Sequence, residues 1–355
     1  MIPATEYGDR RRAVAAALAA HRVDALLVTS LPNVRYLTGF TGSNAILLLE
    51  PTRATLYTDP RYGIQAREET ICRINVSRGP TRNALIPRLK RIKRVGFDPV
   101  NLTVATHSAW AEAARLRPVS GLIEAHRMIK STAEVALIRQ SIQINSDAYQ
   151  AALRTWKPGV TEADLAAEID YRQRRLGAEG PSFDPIVASG PRSALPHARP
   201  SHAPILPNAL LLVDMGALYG GYSSDMTRVV HTGKPTRRAK QFYQAVLESQ
   251  LAAIDAVRDG VTAASVDRAA RESLRNRNLD DLFTHSTGHG LGLEIHEGPG
   301  LRKNDRTVLR SGMAITIEPG VYSEGFGGVR IEDVVLVTPT GCEVLTPTPK
   351  DWIEI

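Results

Sequence analysis

The feature that most constrains this chain is a set of acidic residues that stand directly against strongly apolar segments. Asp214 follows the run Leu210-Leu-Leu-Val, and Glu332 lies within Val329-Arg-Ile-Glu-Asp-Val-Val-Leu-Val. Because burying an unpaired carboxylate is prohibitively costly, each of these acids needs a cationic partner. For one acid taken alone, an arginine or lysine partner is as good an explanation as a metal ion.

Two further acids and a histidine turn this pattern into a donor set. His289 lies in Thr284-His-Ser-Thr-Gly-His-Gly-Leu-Gly-Leu-Glu-Ile-His-Glu, where the flanking glycines let the backbone approach closely. Carboxylates and one imidazole, without cysteine, suit cations such as Mn²⁺, Co²⁺, Fe²⁺ or Zn²⁺. Five ligands are too many for one tetrahedral ion, whereas two ions about 3.5 to 4 Å apart fit the set. The predicted ligands are Asp214, Asp225, His289, Glu318 and Glu332.

The chain has the composition of an ordinary globular protein and exceeds the size that one hydrophobic core usually supports. It has 355 residues, of which 43% are hydrophobic, and no apolar run approaches the roughly 20 residues that cross a bilayer. The polar start, residues 1–12, is unlike a secretory signal. With only Cys72 and Cys342 present, a reducing cytoplasm is the simplest setting. We therefore expect a cytoplasmic protein with two domains and no membrane partner.

The net charge of +7 raises the question of nucleic acid binding. The basic run Lys90-Arg-Ile-Lys-Arg has no interleaved aromatic residue on which bases could stack. A solvated helix face explains such a run better, so no nucleic acid partner is expected.

The first part of the chain alternates a helical segment, residues 13–20, with short apolar strands at residues 25–29, 45–49 and 54–58. This alternation indicates an α/β domain. The segment Ser131-Thr-Ala-Glu has the spacing of a capping box and opens an amphipathic helix that runs through Leu153. We expect an N-terminal domain at residues 1–124 and a catalytic domain at residues 125–355.

A faint internal repeat divides the second domain. Lys157-Pro-Gly-Val-Thr-Glu-Ala-Asp recurs about 100 residues later as Arg258-Asp-Gly-Val-Thr-Ala-Ala-Ser. In each copy a long helix is expected to end near the glycine, and Thr161 or Thr262 to cap the next helix. Apolar runs that carry the acids follow each helix pair. We predict two similar α-plus-β halves related by a pseudo-two-fold axis, with the acids meeting at the centre.

Several segments resemble the pita-bread metallopeptidases, the family of methionine aminopeptidase, aminopeptidase P, prolidase and creatinase. They extend in matching order from about residue 124 to the C-terminus. These segments are Val213-Asp-Met-Gly-Ala-Leu-Tyr-Gly-Gly-Tyr-Ser-Ser-Asp-Met-Thr-Arg, Ser286-Thr-Gly-His-Gly-Leu-Gly-Leu-Glu-Ile-His-Glu, Ile315-Thr-Ile-Glu-Pro-Gly and Gly328-Val-Arg-Ile-Glu-Asp.

Two further segments resemble the proline-specific branch of that family. One is Phe183-Asp-Pro-Ile-Val-Ala-Ser-Gly-Pro-Arg-Ser-Ala-Leu-Pro-His, and the other is Asn33-Val-Arg-Tyr-Leu-Thr-Gly-Phe-Thr-Gly-Ser, in a creatinase-like N-terminal domain that methionine aminopeptidases lack. The chain departs from the usual Pro-His-Gly of prolidases at Pro196-His-Ala.

The resemblance implies a role for each ligand. Asp214 would chelate one ion, and His289 and Glu318 would bind the other. Asp225 and Glu332 would bridge both ions. Such a site activates a water molecule for attack on the scissile carbonyl, and Glu318 resembles the residue that carries the proton to the leaving proline nitrogen.

The resemblance also implies roles outside the metal set. His197 and His296 would hold the substrate and stabilise the tetrahedral oxyanion, and His285 and Arg330 would line the pocket for proline. Phe183, Tyr219 and Tyr222 are further candidates for the pocket wall.

We therefore predict metal-dependent hydrolysis of the Xaa-Pro bond at a free N-terminus, most simply with two Mn²⁺ ions in a homodimer. Residues 183–197 favour a dipeptidase over an aminopeptidase P that accepts longer peptides. A dipeptidase must capture the substrate's C-terminal carboxylate, for which Arg330 or Arg35 is a candidate. Two alternatives are a binding module that has lost its metals and a metal-free, creatinase-like hydrolase. All five ligands are present, and a metal-free site would gain nothing from mutually repelling carboxylates.

Overall fold

The computed structural model describes residues 2–355 and divides into two compact units. The first unit ends at Arg127, and the second is Met128–Ile355. No helix within residues 2–355 combines the length and the apolar character needed to span a membrane.

The first unit is built on a mixed sheet with the order β4-β3-β2-β1-β5-β6. The helices are α1 Ala4–Ala17, α2 Leu31–Thr38, α3 Gly63–Glu69, α4 Thr81–Ala84, α5 Ile86–Leu89, α6 Val104–Ala111 and α7 Leu122–Arg127. The strands are β1 Ala25–Val28, β2 Ala45–Glu50, β3 Arg53–Thr58, β4 Arg73–Val76, β5 Arg94–Phe97 and β6 Arg115–Pro118. Strand β1 is parallel to β5 and antiparallel to β2. The three strands expected from the sequence are confirmed to within a residue at each end.

The second unit begins with a helix pair and a small antiparallel sheet of order β12-β9-β8. The elements of this half are α8 Thr132–Leu153, α9 Glu162–Arg175, β7 Gly180–Pro181, β8 Ile186–Ser189, β9 Ala209–Met215, β10 Ala217–Tyr219, β11 Tyr222–Ser223 and β12 Met226–Thr232. Helix α8 starts with the predicted capping box, in which Ser131 and Glu134 exchange hydrogen bonds between side chain and backbone. The predicted end of this helix at Leu153 is also confirmed.

The other half repeats a helix pair followed by a sheet, here of order β14-β13-β15-β18-β19. Its elements are α10 Arg237–Ala256, α11 Ala263–Arg275, β13 Gly288–Gly290, β14 Glu297–Leu301, β15 Ala314–Ile317, β16 Gly320–Ser323, β17 Gly327–Arg330, β18 Asp333–Val337 and β19 Cys342–Val344. Strands β16 and β17 form a separate hairpin.

The repeat predicted from the sequence is present, but its two helix caps differ. Thr161 caps α9, because its side chain accepts a hydrogen bond from the backbone N–H of Asp164. Thr262 occupies the same position before α11 without a side-chain cap. In both halves the first N–H groups of the helix also donate to carbonyls of a segment distant in sequence, those of Ala203 and Ser201 for α9 and those of Thr307 and Asp305 for α11. At α11 these backbone contacts satisfy the N–H groups without a contribution from the threonine side chain.

Strand β9 explains why its sequence is apolar without alternation. Leu210 and Leu212 belong to one core cluster, whereas Leu211 and Val213 belong to another, so both faces of the strand are buried. Successive side chains point to opposite faces. Asp214 therefore shares the face of Leu210 and Leu212, which looks toward the cluster that also contains residues of the second half.

Candidate metal centre

One cavity in the second unit gathers the nine residues predicted to bind metal, to act on the peptide bond or to hold proline. It has a volume of about 680 Å³. Its lining includes His197, Asp214, Asp225, His285, His289, His296, Glu318, Arg330 and Glu332. Phe183 also lines it, but Tyr219 and Tyr222 do not. The hydroxyl of Tyr222 is buried elsewhere and donates to Glu134.

The acids reach the cavity from both halves of the unit. Asp214 lies near the end of β9, and Asp225 immediately precedes β12. Glu318 follows β15, and Glu332 lies between β17 and β18. Asp214, Asp225 and Glu332 are all buried. The donor set therefore exists only when the two sheets hold a fixed relative position.

The closest group of donor atoms is formed by Asp225, His289 and Glu332. One potential ligand atom from each of these residues lies within 4.8 Å of the others. The Nε2 atom of His289 is 3.6 Å from Asp225 Oδ2 and 3.4 Å from Glu318 Oε1. Four of the five predicted ligands thus face a common space.

His289 is held in the form that a metal ligand requires. Its Nδ1 atom lies 3.0 Å from the carbonyl oxygen of Gly290, so Nδ1 carries the proton and donates to that carbonyl. This leaves the lone pair on Nε2, directed toward Asp225 and Glu318. Burial lowers the pKa of His289, which keeps the ring neutral.

The glycines that flank His289 are required by close backbone packing. A Cβ atom on Gly288 would lie 2.0 Å from the carbonyl oxygen of Thr316, and one on Gly290 would lie 2.1 Å from that of Gly298. The register of β13 against β14 also shifts between His289 and Gly290. The predicted close approach of the backbone on both sides of this histidine is confirmed.

The electrostatics of the cavity floor call for a cation. Burial, followed by repulsion from Glu332, raises the pKa of Asp225 well above its ordinary value. Burial and repulsion from Glu318 do the same to the pKa of Glu332. The pKa of Glu318 is raised to about 7, chiefly by burial, with Asp214 adding repulsion. Neighbouring carboxylates raise each other's pKa values when too little positive charge lies nearby to offset their repulsion.

The residues present fit divalent metal ions. Four carboxylates meet one guanidinium, that of Arg330, so the cluster carries a formal charge of −3 when all the acids are ionised. The Oδ1 atom of Asp214 is buried and has no hydrogen-bond partner among the described residues. Carboxylate oxygens with one imidazole nitrogen are donors that divalent cations such as Mn²⁺ and Zn²⁺ accept.

A chain of hydrogen bonds leads from Asp214 to the side wall of the cavity. Arg330 NH2 donates to Asp214 Oδ2 at 2.6 Å, and Arg330 NH1 donates to the hydroxyl oxygen of Tyr322 at 2.7 Å. The Tyr322 hydroxyl in turn lies 2.8 Å from His285 Nε2. Since His285 Nδ1 donates to the carbonyl of Ser286 at 2.8 Å, Nε2 is the acceptor.

Two residues of this network, Tyr322 and Thr227, are not among those predicted from the sequence. Thr227 Oγ1 donates to Glu332 Oε2 at 2.7 Å and accepts from Arg330 Nε at 2.9 Å. Tyr322 joins Arg330 to His285, as described above. Thr227 lies two positions after Asp225, which is a usable signal, because β-strand residues i and i+2 share a face.

Four carboxylates and one imidazole that converge in one cavity define a candidate centre for divalent metal ions. Two family descriptions match the chain: metallopeptidase family M24 over residues 136–339, and the creatinase/prolidase N-terminal domain over residues 10–129. The chain therefore belongs to metallopeptidase family M24. The predicted fold class is confirmed, with a creatinase-like N-terminal domain and a pita-bread catalytic domain.

Two Xaa-Pro dipeptidases and one X-Pro aminopeptidase resemble the chain along almost its whole length. The Xaa-Pro dipeptidase of Pyrococcus horikoshii is 37% identical over 335 residues, which cover 93% of this chain and 95% of the relative. The structure of a Xaa-Pro dipeptidase from Bacillus anthracis matches with a TM-score of 0.96 and 38% identity, covering 98% of this chain and 100% of that one. An X-Pro aminopeptidase from Thermotoga maritima matches with a TM-score of 0.88 and 34% identity, covering 94% and 98%.

Proposed function

We propose that this metallopeptidase hydrolyses the Xaa-Pro bond of dipeptides, using two divalent metal ions held by Asp214, Asp225, His289, Glu318 and Glu332. The observation that carries the proposal is the coincidence, in one cavity of about 680 Å³, of the donor cluster and the neutral ring of His285, which the Tyr322 hydroxyl holds by a hydrogen bond. Cavities of about 300 to 1,000 Å³ suit small organic ligands. The relatives named as Xaa-Pro dipeptidases support the choice of substrate.

The wall suits a proline ring because it is uncharged. Burial, followed by the neighbouring charge of Arg330, lowers the pKa of His285 to about 4, so its ring is neutral at physiological pH. The Xaa-Pro bond is a tertiary amide without an N–H group, and the ring fixes the local backbone angle. An apolar ring without a donor packs favourably against a flat, neutral imidazole.

Three residues are proposed to act on the peptide bond. Divalent ions held by the five ligands would lower the pKa of a bound water and polarise the scissile carbonyl. Glu318 passes a proton to the nitrogen of the leaving proline. His197 and His296 donate hydrogen bonds to the carbonyl oxygen as negative charge develops on it. The His296 ring stacks edge-on against His289, with centroids 4.4 Å apart, which keeps it beside the metal set.

Arg330 is committed to the framework of the site, which bears on how a dipeptide is recognised. An arginine has five N–H donors, and four of those of Arg330 are engaged, by Thr227, Pro196, Tyr322 and Asp214. We therefore propose that capture of the substrate's C-terminal carboxylate falls to the exposed arginines that line the same cavity, Arg302 and Arg199.

The experiment that tests the function compares hydrolysis of Ala-Pro and Ala-Pro-Ala. Metal-stripped protein is assayed with and without Mn²⁺, Co²⁺ or Zn²⁺, beside an Asp225→Asn variant. We expect metal-dependent cleavage of Ala-Pro. Asp225→Asn should lower the rate of cleavage by more than about 100-fold, which is the upper end of the loss seen when a residue that only contacts a metal ligand is replaced. Preferential cleavage of Ala-Pro-Ala would favour the second candidate, an Xaa-Pro aminopeptidase, which the likeness to the Thermotoga maritima structure supports. Cleavage of neither peptide would refute the proposal and favour a binding module.

Four finer properties are part of the proposal. Mn²⁺ is proposed as the native metal, and a homodimer as the assembly, to be checked by metal analysis and light scattering. A cytoplasmic location is supported by the two free thiols, Cys72 and Cys342. The domain boundary proposed at residues 124 and 125 lies within α7, three residues before the first compact unit ends at Arg127, and is to be checked by expressing residues 125–355 and residues 128–355 alone.

A further inference from the structure

Arg228 lies where the two sheets that carry the ligands meet. It belongs to β12, in the sheet that supplies Asp214 and Asp225. Its side chain is buried, with 2% exposure, and reaches residues 332 and 333, which lead into β18 of the other sheet. Glu332 is the ligand that stands at this junction. A side chain in this place can fix one half of the donor set against the other.

All five N–H donors of Arg228 are engaged. NH1 donates to the carbonyl oxygens of Thr227 and Glu332, at 2.9 and 2.5 Å. NH2 donates to Asp333 Oδ1 at 2.7 Å and to the carbonyl of Thr348, and Nε donates to the carbonyl of Pro349 at 3.0 Å. A guanidinium with every donor used has one allowed orientation.

Asp333 completes the pair and is itself saturated. The residue is fully buried. Its Oδ2 atom accepts from Lys350 Nζ at 2.6 Å and from Gln250 Nε2 at 2.9 Å. The net contribution of a buried ion pair to stability is small. The role that such a pair can fill is to fix one arrangement of the elements that it joins.

The residues that close this network lie close to the C-terminus. Residues 346–350 supply the Thr348 and Pro349 carbonyls and the Lys350 ammonium. The Thr346 hydroxyl accepts from the backbone N–H of Val334, two residues beyond Glu332. The match to the M24 family description ends at residue 339. A segment outside that match therefore contacts Arg228 and Asp333, the residue that follows the ligand Glu332.

We propose that Arg228 and Asp333, clamped by residues 346–350, are positioning residues that hold Glu332 in register with Asp225. The coupling runs through Thr227, whose carbonyl accepts from Arg228 while its hydroxyl donates to Glu332. The inference rests on the proposed metal site. A second arrangement of the sheets would separate the ligand atoms of Asp225 and Glu332, which now lie within 4.8 Å.

The test measures metal affinity of the metal-stripped full chain by calorimetric titration with Mn²⁺. Arg228→Lys keeps the charge but loses the fork of donors, and Lys350→Met removes one partner of Asp333 at a position that is 20% exposed. We expect Mn²⁺ binding to weaken by about 10 to 100-fold in Arg228→Lys and by about 10-fold in Lys350→Met, as for residues one step from a metal. Lys350→Arg keeps a cation beside Asp333 and should therefore bind Mn²⁺ more tightly than Lys350→Met, with an affinity close to that of the parent.

Lys240→Met is the matched control. Lys240 also pairs with an acid near the C-terminus, Glu354, at 3.4 Å, but makes no contact with Asp333. Its Mn²⁺ affinity should stay within about 2-fold of the parent, since most surface ion pairs contribute little. Thermal unfolding of each metal-free variant separates a loss of stability from a loss of affinity.

Each outcome decides a separate point. Folded Arg228→Lys protein with parental affinity would overturn the inference. Parental affinity in Lys350→Met alone would remove residues 346–350 from it, and if Arg228→Lys does not fold, Lys350→Met decides. If the parent binds no Mn²⁺, the proposed metal site fails rather than the positioning argument alone, so the two failures are distinguishable.

Discussion

Arg330 and Asp214 form a buried ion pair in which a predicted metal ligand already has a cationic partner. The guanidinium NH2 lies 2.6 Å from Asp214 Oδ2, whereas Asp214 Oδ1 is buried without a partner. Arg330 therefore offsets one of the charges of the acid cluster and leaves the other oxygen for a cation. An isolated buried acid can be explained by an arginine partner or by a metal ion. Asp214 has the arginine partner at one oxygen and leaves the other oxygen available to a cation.

Replacing Arg330 by methionine should destabilise the metal-free protein more than the metal-loaded protein. Removing one partner of a buried pair typically costs about 3 to 5 kcal/mol, because the other charge is left uncompensated. Divalent ions bound at the same acids would restore part of the lost charge balance. Urea unfolding with and without Mn²⁺ measures the difference.

Arg192→Met provides the comparison for that experiment. Arg192 pairs with Glu162, which is also buried, but neither residue is part of the donor set. Its loss should destabilise the protein equally with and without Mn²⁺. Equal costs in both conditions for Arg330→Met would show that Arg330 does not share the charge of the metal site.

The sequence could predict the donor set because its members carry their own signals. Asp214 and Glu332 stand out as acids in apolar segments, and the glycines beside His289 imply close packing. Tyr322 carries no such signal, since a tyrosine in an apolar hairpin has the same pattern whether it packs or donates. The contacts of Arg228 with Pro349 join residues far apart in sequence. Only the tertiary fold defines such pairs, as it does the missing side-chain cap at Thr262.

The stability of the protein should rise between pH 4 and pH 6.5 in part through His285. Burial and then Arg330 lower the pKa of His285 to about 4 from an ordinary value of 6.5. Between these values the unfolded chain binds the proton and the folded chain does not, so the contribution is present above pH 6.5 and lost as the pH falls through 4. His285→Gln should therefore reduce the difference between the unfolding free energies at pH 7.5 and pH 4.0 by about 3 kcal/mol.

The measurement is urea unfolding of metal-stripped protein at pH 7.5 and pH 4.0, compared between variant and parent. The comparison cancels the acids, which titrate in both proteins. A parental slope in His285→Gln would mean that this histidine is not kept neutral by the fold.

Gly290→Ala should displace His289 and weaken metal binding. The added methyl would lie 2.1 Å from the carbonyl oxygen of Gly298, so β13 and β14 must separate. Overpacking of this kind costs about 1 to 3 kcal/mol. Gly341→Ala is the control, because a Cβ there meets nothing within 4 Å. Calorimetric titration with Mn²⁺ and thermal unfolding measure both effects, and parental Mn²⁺ affinity in Gly290→Ala would contradict the expected movement.

Arg302→Ala should weaken recognition of a free C-terminal carboxylate. Arg302 lines the cavity, its side chain is 72% exposed, and its nearest acid, Asp305, lies 3.8 Å away, so its donors are available. Hydrogen bonds to charged groups contribute about 1.5 to 3 kcal/mol, and solvent exposure places the expected rise in KM for Ala-Pro near the lower end, about 10-fold. Ala-Pro-amide has no carboxylate, so its KM should not change.

The comparison of the two substrates separates carboxylate capture from a general effect on the cavity. Lys303→Ala removes a neighbouring exposed cation that does not line this cavity, and it should leave both KM values unchanged. If Arg302→Ala raises KM equally for Ala-Pro and Ala-Pro-amide, Arg302 shapes the cavity without binding the carboxylate. If Arg302→Ala changes neither KM and Arg199→Ala raises only that of Ala-Pro, the capture belongs to Arg199. A carboxylate-dependent effect on KM, at Arg302 or at Arg199, distinguishes a dipeptidase from an enzyme whose cavity must stay open for longer peptides.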